Sequence, residues 1–246
     1  MAKKPFGILM LHGFPSNPEY FAPVEARLKD LELAICIPRL RGLGVESPEA
    51  LRGVTWHDWL ADAESALVDL LKESDKVIVI GYSMGGALAL MLASKHGDDL
   101  DSLVLVAAEV QLTSPLAPGK PFNFLAPLVS RLLKKWDFTP DETDHYRKNY
   151  TWAPMGAVVS VLDLSKAVRT HLAEVKSPAL IIQSRKDAVV APESMDIIYN
   201  GISTPPELKR KVWLEKTGHD MFHDCEGDVI IDTMINYVRE RIGMVQ

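Results

Sequence analysis

The chain has 246 residues, enough to bury a full core within one domain. Hydrophobic residues make up 47% and charged residues 24%, which excludes a disordered or membrane-embedded chain and fits a globular one. The net charge is −6 without a long basic run, so a surface built to neutralise phosphates is disfavoured and no nucleic-acid partner is expected.

At the N-terminus, Lys3-Lys4 followed by the apolar run Phe6–Leu11 imitates the start of a signal peptide. The run is too short, however, and it leads into His12-Gly13-Phe14-Pro15 without a small-residue cleavage site. No stretch approaches the ~20 apolar residues of a membrane span. The expectation is a cytoplasmic protein without stable membrane insertion. Phe6–Leu11 itself reads as a first strand, followed by a helical pattern near Glu19–Asp30 and a second strand at Ala34–Pro38. Cys36 lies in that strand as a small core residue. With Cys225 as the other cysteine, no disulfide framework is expected.

A helix near Trp56–Lys72 leads to the β-branched run Lys76–Ile80, which reads as a buried strand. Gly81-Tyr82-Ser83-Met84-Gly85 follows, and then an almost wholly apolar helix, Met84–Lys95. A Gly-x-Ser-x-Gly between strand and helix makes a tight, strained turn that exposes the serine hydroxyl. The helix N-terminus beyond it offers unpaired N–H groups to a developing negative charge. After a strand at Leu103–Ala107, no strand is evident between Glu109 and about Leu172. That stretch holds the helical patterns Leu125–Trp136 and Ala157–His171 and the aromatics Phe122, Phe124, Trp136 and Trp152. It is too long for an ordinary connection and too apolar for a linker. It reads as a helical cap inserted over the sheet, residues 111–170, in a core made of residues 1–110 and 171–246. Strands at Ala179–Gln183 and Arg210–Leu214 alternate with helices near Pro192–Asn200 and Asp228–Ile242. Such alternation argues for an α/β fold whose mainly parallel sheet is covered by helices on both faces.

A neutral serine is a weak nucleophile and needs a base, which in turn needs an orienting acid. Asp187 follows the strand Ala179–Gln183 after the turn Ser184-Arg185-Lys186, and His219 follows the strand ending at Leu214. In a parallel sheet these strand ends open on one edge and can converge on Ser83. The backbone N–H groups of Phe14 and Met84 are candidates for an oxyanion hole, with His12 bracing the loop by hydrogen bonding. Asp163 and Asp101 are rival acids that do not follow a strand in the required order. His223, at i+4 from His219, is a rival base. His57, His96, His145 and His171 share no spacing, and no zinc, nucleotide or other cofactor motif is present, so neither metal nor cofactor is expected. Phe14, Phe122, Phe124, Leu125, Met155 and Val158 could line an acyl pocket or form the cap's own core.

Together, His12-Gly13-Phe14, Gly81-Tyr82-Ser83-Met84-Gly85-Gly86, Asp187 and Gly218-His219 resemble the α/β-hydrolase superfamily. Within it the chain is similar to bacterial carboxylesterases and monoacylglycerol lipases of about this length, a likeness that extends to Ser194–Asn200 after the acid loop. The resemblance implies hydrolysis of short- to medium-chain acyl esters through an acyl-enzyme on Ser83, with a small-molecule ester as the partner. The chain opens on the His-Gly strand, without the antiparallel strands that precede it in larger relatives, so about six strands are expected. Ser184 stands where a glycine often precedes the acid by three residues. The rivals are the same triad acting on another bond (carbon–carbon, lactone or amide) and a non-catalytic binding protein of the same fold. Oligomeric state is not legible.

Overall fold

The computed structural model describes residues 3–138 and 150–244. In chain order the elements are β1 (Lys4–Leu11), α1 (Ala22–Leu28), β2 (Ala34–Cys36), α2 (Trp56–Leu70), β3 (Ser74–Tyr82), α3 (Met84–His96) and β4 (Leu100–Val106). There follow α4 (Ala126–Leu132), β5 (Lys135–Asp137), β6 (Trp152–Pro154), α5 (Met155–His171), β7 (Ala179–Ser184), α6 (Ser194–Gly201), β8 (Lys209–Leu214) and α7 (Gly227–Arg241). Six strands form one parallel sheet in the order β2-β1-β3-β4-β7-β8. This is the expected α/β architecture with the expected number of strands.

The central strands are apolar along their length because both faces are covered. Leu9, Leu11, Val77, Val79, Leu103 and Leu105 point into the core shared with α2, α3, α5 and α6. The alternating residues Ile8, Met10, Ile78, Ile80, Val104 and Val106 point into the core shared with α1 and α7. Each such fully buried side chain contributes about 1.5–3 kcal/mol through loss of water contact. Helix α3 is buried on every side from Met84 to Ala93, which explains its lack of a polar face. At the start of α2, the Asp58 carboxylate accepts from both the backbone N–H and the hydroxyl of Thr55. Those bonds hold its pKa below the usual carboxylate range and cap the helix.

The segment between β4 and β7 departs from the sequence expectation in one respect. The helical pattern over Leu125–Trp136 ends at Leu132, and Lys135–Asp137 pairs antiparallel with Trp152–Pro154. Trp136 therefore lies on a strand, where its aromatic ring suits a pleated surface better than a helix interior. Both cysteines are free, and Cys36 is half-buried on the sheet's edge strand rather than fully in the core. Among the described residues, no helix is long and apolar enough to cross a membrane.

Candidate active site

The sheet's winding reverses between β1 and β3. Strand β2 lies on one side of β1, while the next crossover places β3 on the other, in register from Gly7–Val77 to Leu11–Gly81. The loops leaving β1 and β3 therefore meet at the carboxyl edge, where open α/β sheets place their ligands. Ser83 sits there with φ 54° and ψ −119°, a conformation that costs a non-glycine residue about 1–3 kcal/mol. Its neighbours must be glycine for steric reasons. A Cβ on Gly85 would run into the Leu11 carbonyl, and one on Gly81 into the backbone of Gly85 and Gly86. The motif thus holds β3, the turn and α3 closer together than side chains allow.

From β8 and β7 come the two partners. His219 Nε2 lies 3.1 Å from Ser83 Oγ, and His219 Nδ1 donates to Asp187 Oδ2 at 2.9 Å. The nitrogen facing the carboxylate carries the proton, which leaves Nε2 as an acceptor for the serine hydroxyl. Asp187 is 4% exposed, and its Oδ1 accepts the N–H groups of Val189 (2.8 Å) and Val190 (2.9 Å). The carboxylate is thereby fixed in orientation. Ser184, in the place of the usual glycine, binds the acid loop to the base loop: its hydroxyl donates to the Thr217 carbonyl and accepts Lys186 N–H. The Tyr82 hydroxyl donates to the His219 carbonyl at 2.9 Å, and Asp224 Oδ2 accepts Gly218 N–H at 2.6 Å. Tyr82, Ser184 and Asp224 went unassigned from sequence, because each acts on backbone groups that only the fold brings near.

Met84 directly follows Ser83 and Phe14 lines the same cavity, and neither residue's amide has an internal acceptor among the described residues. Gly13 packs so close that a Cβ there would meet Ser83 Cβ at 3.0 Å. His12 is fully buried and braces this loop, with Nδ1 donating to the Gly13 carbonyl (3.1 Å) and Nε2 accepting Leu40 N–H (3.4 Å). Burial pushes its pKa down to about 4, so it stays neutral. The rival base His223 binds the Tyr20 carbonyl through Nε2 at 3.2 Å. The rival acid Asp101 is engaged by Arg241. His145 lies outside the described residues.

A cavity of about 460 Å³ opens on Ser83 and His219. Phe14, Met155 and Val158 line it, as does Trp136. Phe122, Phe124 and Leu125 do not, which corrects their assignment to an acyl pocket: Phe122 and Phe124 are 53% and 74% exposed. Phe122 precedes and Phe124 lies within a short 3-10 turn (Asn123–Leu125) tied by the Asn123 side chain to the Leu116 carbonyl, and that anchorage leaves both rings on the outer surface. Glu109, which sequence reasoning passed over, lines the cavity and is buried, with Oε1 accepting from Ser165 at 2.8 Å. Its signal was present, as the acidic residue ending the apolar run Leu103–Ala108. Burial raises its pKa to about 8. Among the described residues, no group of three His, Cys, Asp or Glu side chains is arranged to hold a metal ion.

A six-stranded parallel sheet wrapped by helices, with a strained serine turn at its winding reversal, defines an α/β-hydrolase. The chain belongs to the family described as serine aminopeptidase, S33 (Hydrolase_4), which matches residues 4–226. It is 29% identical to a thermostable monoacylglycerol lipase of Bacillus sp. (strain H-257), over 97% of this chain and 92% of that one. It is 25% identical to a carboxylesterase of Bacillus subtilis (strain 168), over 95% and 92% respectively. Among solved structures, a metagenome-derived lipolytic enzyme described with LipS and LipT superposes with a TM-score of 0.85 at 26% identity, covering 97% of this chain and 95% of that one. A monoacylglycerol lipase from Paleococcus ferrophilus shares the fold, with a TM-score of 0.77 at 14% identity over 97% and 96% of the two chains.

Proposed function

We propose that this chain is a serine carboxylester hydrolase that cleaves short- to medium-chain acyl esters, monoacylglycerols among them, through an acyl-enzyme on Ser83. The observation that carries this is the continuous hydrogen-bonded relay from Asp187 through His219 to Ser83, opening on a largely apolar cavity. Ser83 Oγ attacks the ester carbonyl as His219 Nε2 takes its proton, and Asp187 stabilises the imidazolium. The amides of Phe14 and Met84 receive the oxyanion, and losing one such donor typically costs about 3–4 kcal/mol of barrier. Collapse expels the alcohol, which takes the proton from His219. A water deprotonated by the same nitrogen then attacks the acyl-enzyme and releases the acid.

The described parts of residues 111–170 act in this scheme as a cap over the carboxyl edge of the sheet, with Trp136, Met155 and Val158 forming its side of the acyl pocket. The relatives above are named as a monoacylglycerol lipase and a carboxylesterase, which supports ester over amide as the scissile bond despite the family's description. A cytoplasmic location belongs to the same proposal and is read by cell fractionation.

The test is hydrolysis of p-nitrophenyl esters from acetate to palmitate by wild type and Ser83→Ala, with fluorophosphonate labelling alongside. Turnover that peaks at short or medium chains and vanishes in the variant is the expected result. Labelling of Ser83 without hydrolysis at any length would move the activity to another bond. Silence in both would favour a binding protein.

A further inference from the structure

Among the described residues Glu109 is the one acidic side chain in a cavity wall that is otherwise apolar apart from Ser83, His219, Thr113 and Ser114. Its backbone N–H donates to the Ser83 carbonyl at 3.0 Å, which places it directly beside the nucleophile. Its side chain is buried against α5, where the Ser165 hydroxyl holds Oε1 at 2.8 Å. Among the described residues nothing else hydrogen-bonds this carboxyl, and no cationic side chain pairs with it. If the contact served only to tie the β4 loop to α5, an amide would do so without the cost of burying an acid. The carboxyl remains protonated up to about pH 8, so it meets a ligand as a neutral donor and acceptor. A neutral acid of this kind suits a hydroxyl better than an ammonium group, which gains most from a charged partner.

We propose that Glu109 is a specificity-determining residue that hydrogen-bonds a hydroxyl carried by the ester close to the scissile bond, on the alcohol or the acyl side. The inference rests on the ester-hydrolase function proposed above. It adds a polar requirement to a pocket that would otherwise select on chain length alone. A site built to bond a hydroxyl discriminates against the analogue lacking it, because its own buried polar group is then left unpaired.

The experiment compares kcat/KM on matched esters that differ only in a hydroxyl replacing a methyl group. Hydroxyethyl butyrate against propyl butyrate places the hydroxyl on the alcohol. Propyl β-hydroxybutyrate against propyl isovalerate places it on the acyl chain. Wild type is expected to favour the hydroxylated member of one pair by about tenfold, and the favoured pair identifies the side. In Glu109→Leu that ratio should fall to about one, and Glu109→Met serves if the leucine variant does not fold. A residue that only braces α5 would lower both members together and leave the ratio unmoved, which would overturn the proposal. Equal cleavage of both pairs by wild type would also overturn it while leaving the esterase intact. Wild type cleaving none of the four esters would instead bring down the ester hydrolase itself, and this inference with it.

Discussion

At Ser83 and Glu109 the chain accepts local costs that folding alone would not select. The positive φ of Ser83 is needed to lift its hydroxyl toward His219. Replacement by alanine keeps the strain and removes the proposed nucleophile, so activity should fall by at least about 10⁴-fold with little change in stability. Replacement by glycine removes both, and Ser83→Gly is expected to be about 1 kcal/mol more stable than Ser83→Ala in urea unfolding. Equal stability of the two would contradict the strain. Glu109 makes its cost visible through pH. In the unfolded chain its carboxyl titrates near 4.5, and in the folded chain near 8. Below the lower value both states hold the proton and Glu109 carries no penalty. As pH rises between the two, only the unfolded chain ionises, so stability falls until about pH 8. The stability of Glu109→Gln relative to wild type should therefore increase from pH 5 to pH 8.5, by on the order of 4 kcal/mol. A difference independent of pH would show that the carboxyl is not protonated in the folded protein.

Among the elements, the junction of β3 with α3 sets the tightest limits. Gly85 lies in the first turn of α3, against the last carbonyl of β1, with no room for a methyl group. Gly97, just past the same helix, has open space and an ordinary helical φ of −54°. Gly85→Ala should cost more than about 3 kcal/mol or prevent folding. Gly97→Ala should be neutral or slightly stabilising, because it restricts the unfolded chain without a clash. Thermal denaturation of the pair separates these outcomes, and similar midpoints would mean that β1 and α3 are not held at this distance. The sequence already carried Gly85 as part of a pattern, but the atom it avoids belongs to a strand about 70 residues earlier. The acid and base loops extend the point. Asp187 and His219 were legible because each follows an apolar strand, whereas Ser184 and Tyr82 act on backbone atoms of residues that sequence spacing leaves distant.

Across the whole molecule, the cavity is assembled from pieces that share no local pattern. Phe14 comes from the loop after β1, Glu109 from the loop after β4, Val158 from α5 and Val189 from the acid loop. Because α5 supplies one wall, acyl-length selection should depend on it. Val158→Phe is expected to lower kcat/KM for octanoate relative to acetate by about tenfold, as the added ring occupies space meant for the distal methylenes. An unchanged length profile would move the acyl chain to another part of the cavity. The exposed rings of Phe122 and Phe124 show why composition alone misassigned part of this wall. Apolar residues in an inserted segment can face the cavity, the cap's interior or the outside, and periodicity does not distinguish the three.

Alternating strands and helices, the Gly-Tyr-Ser-Met-Gly turn and the order serine, acid, histidine are written in the chain itself. Each rests on local propensity or on strand-end position, and these survive in a one-dimensional string. The relay distances, the second strand pair at β5 and β6, the wall of the cavity and the buried carboxyl beside Ser83 were decided only by tertiary structure. They depend on side chains from separate crossovers arriving at one sheet edge. That meeting is set by packing across both faces of the sheet rather than by any neighbour along the chain.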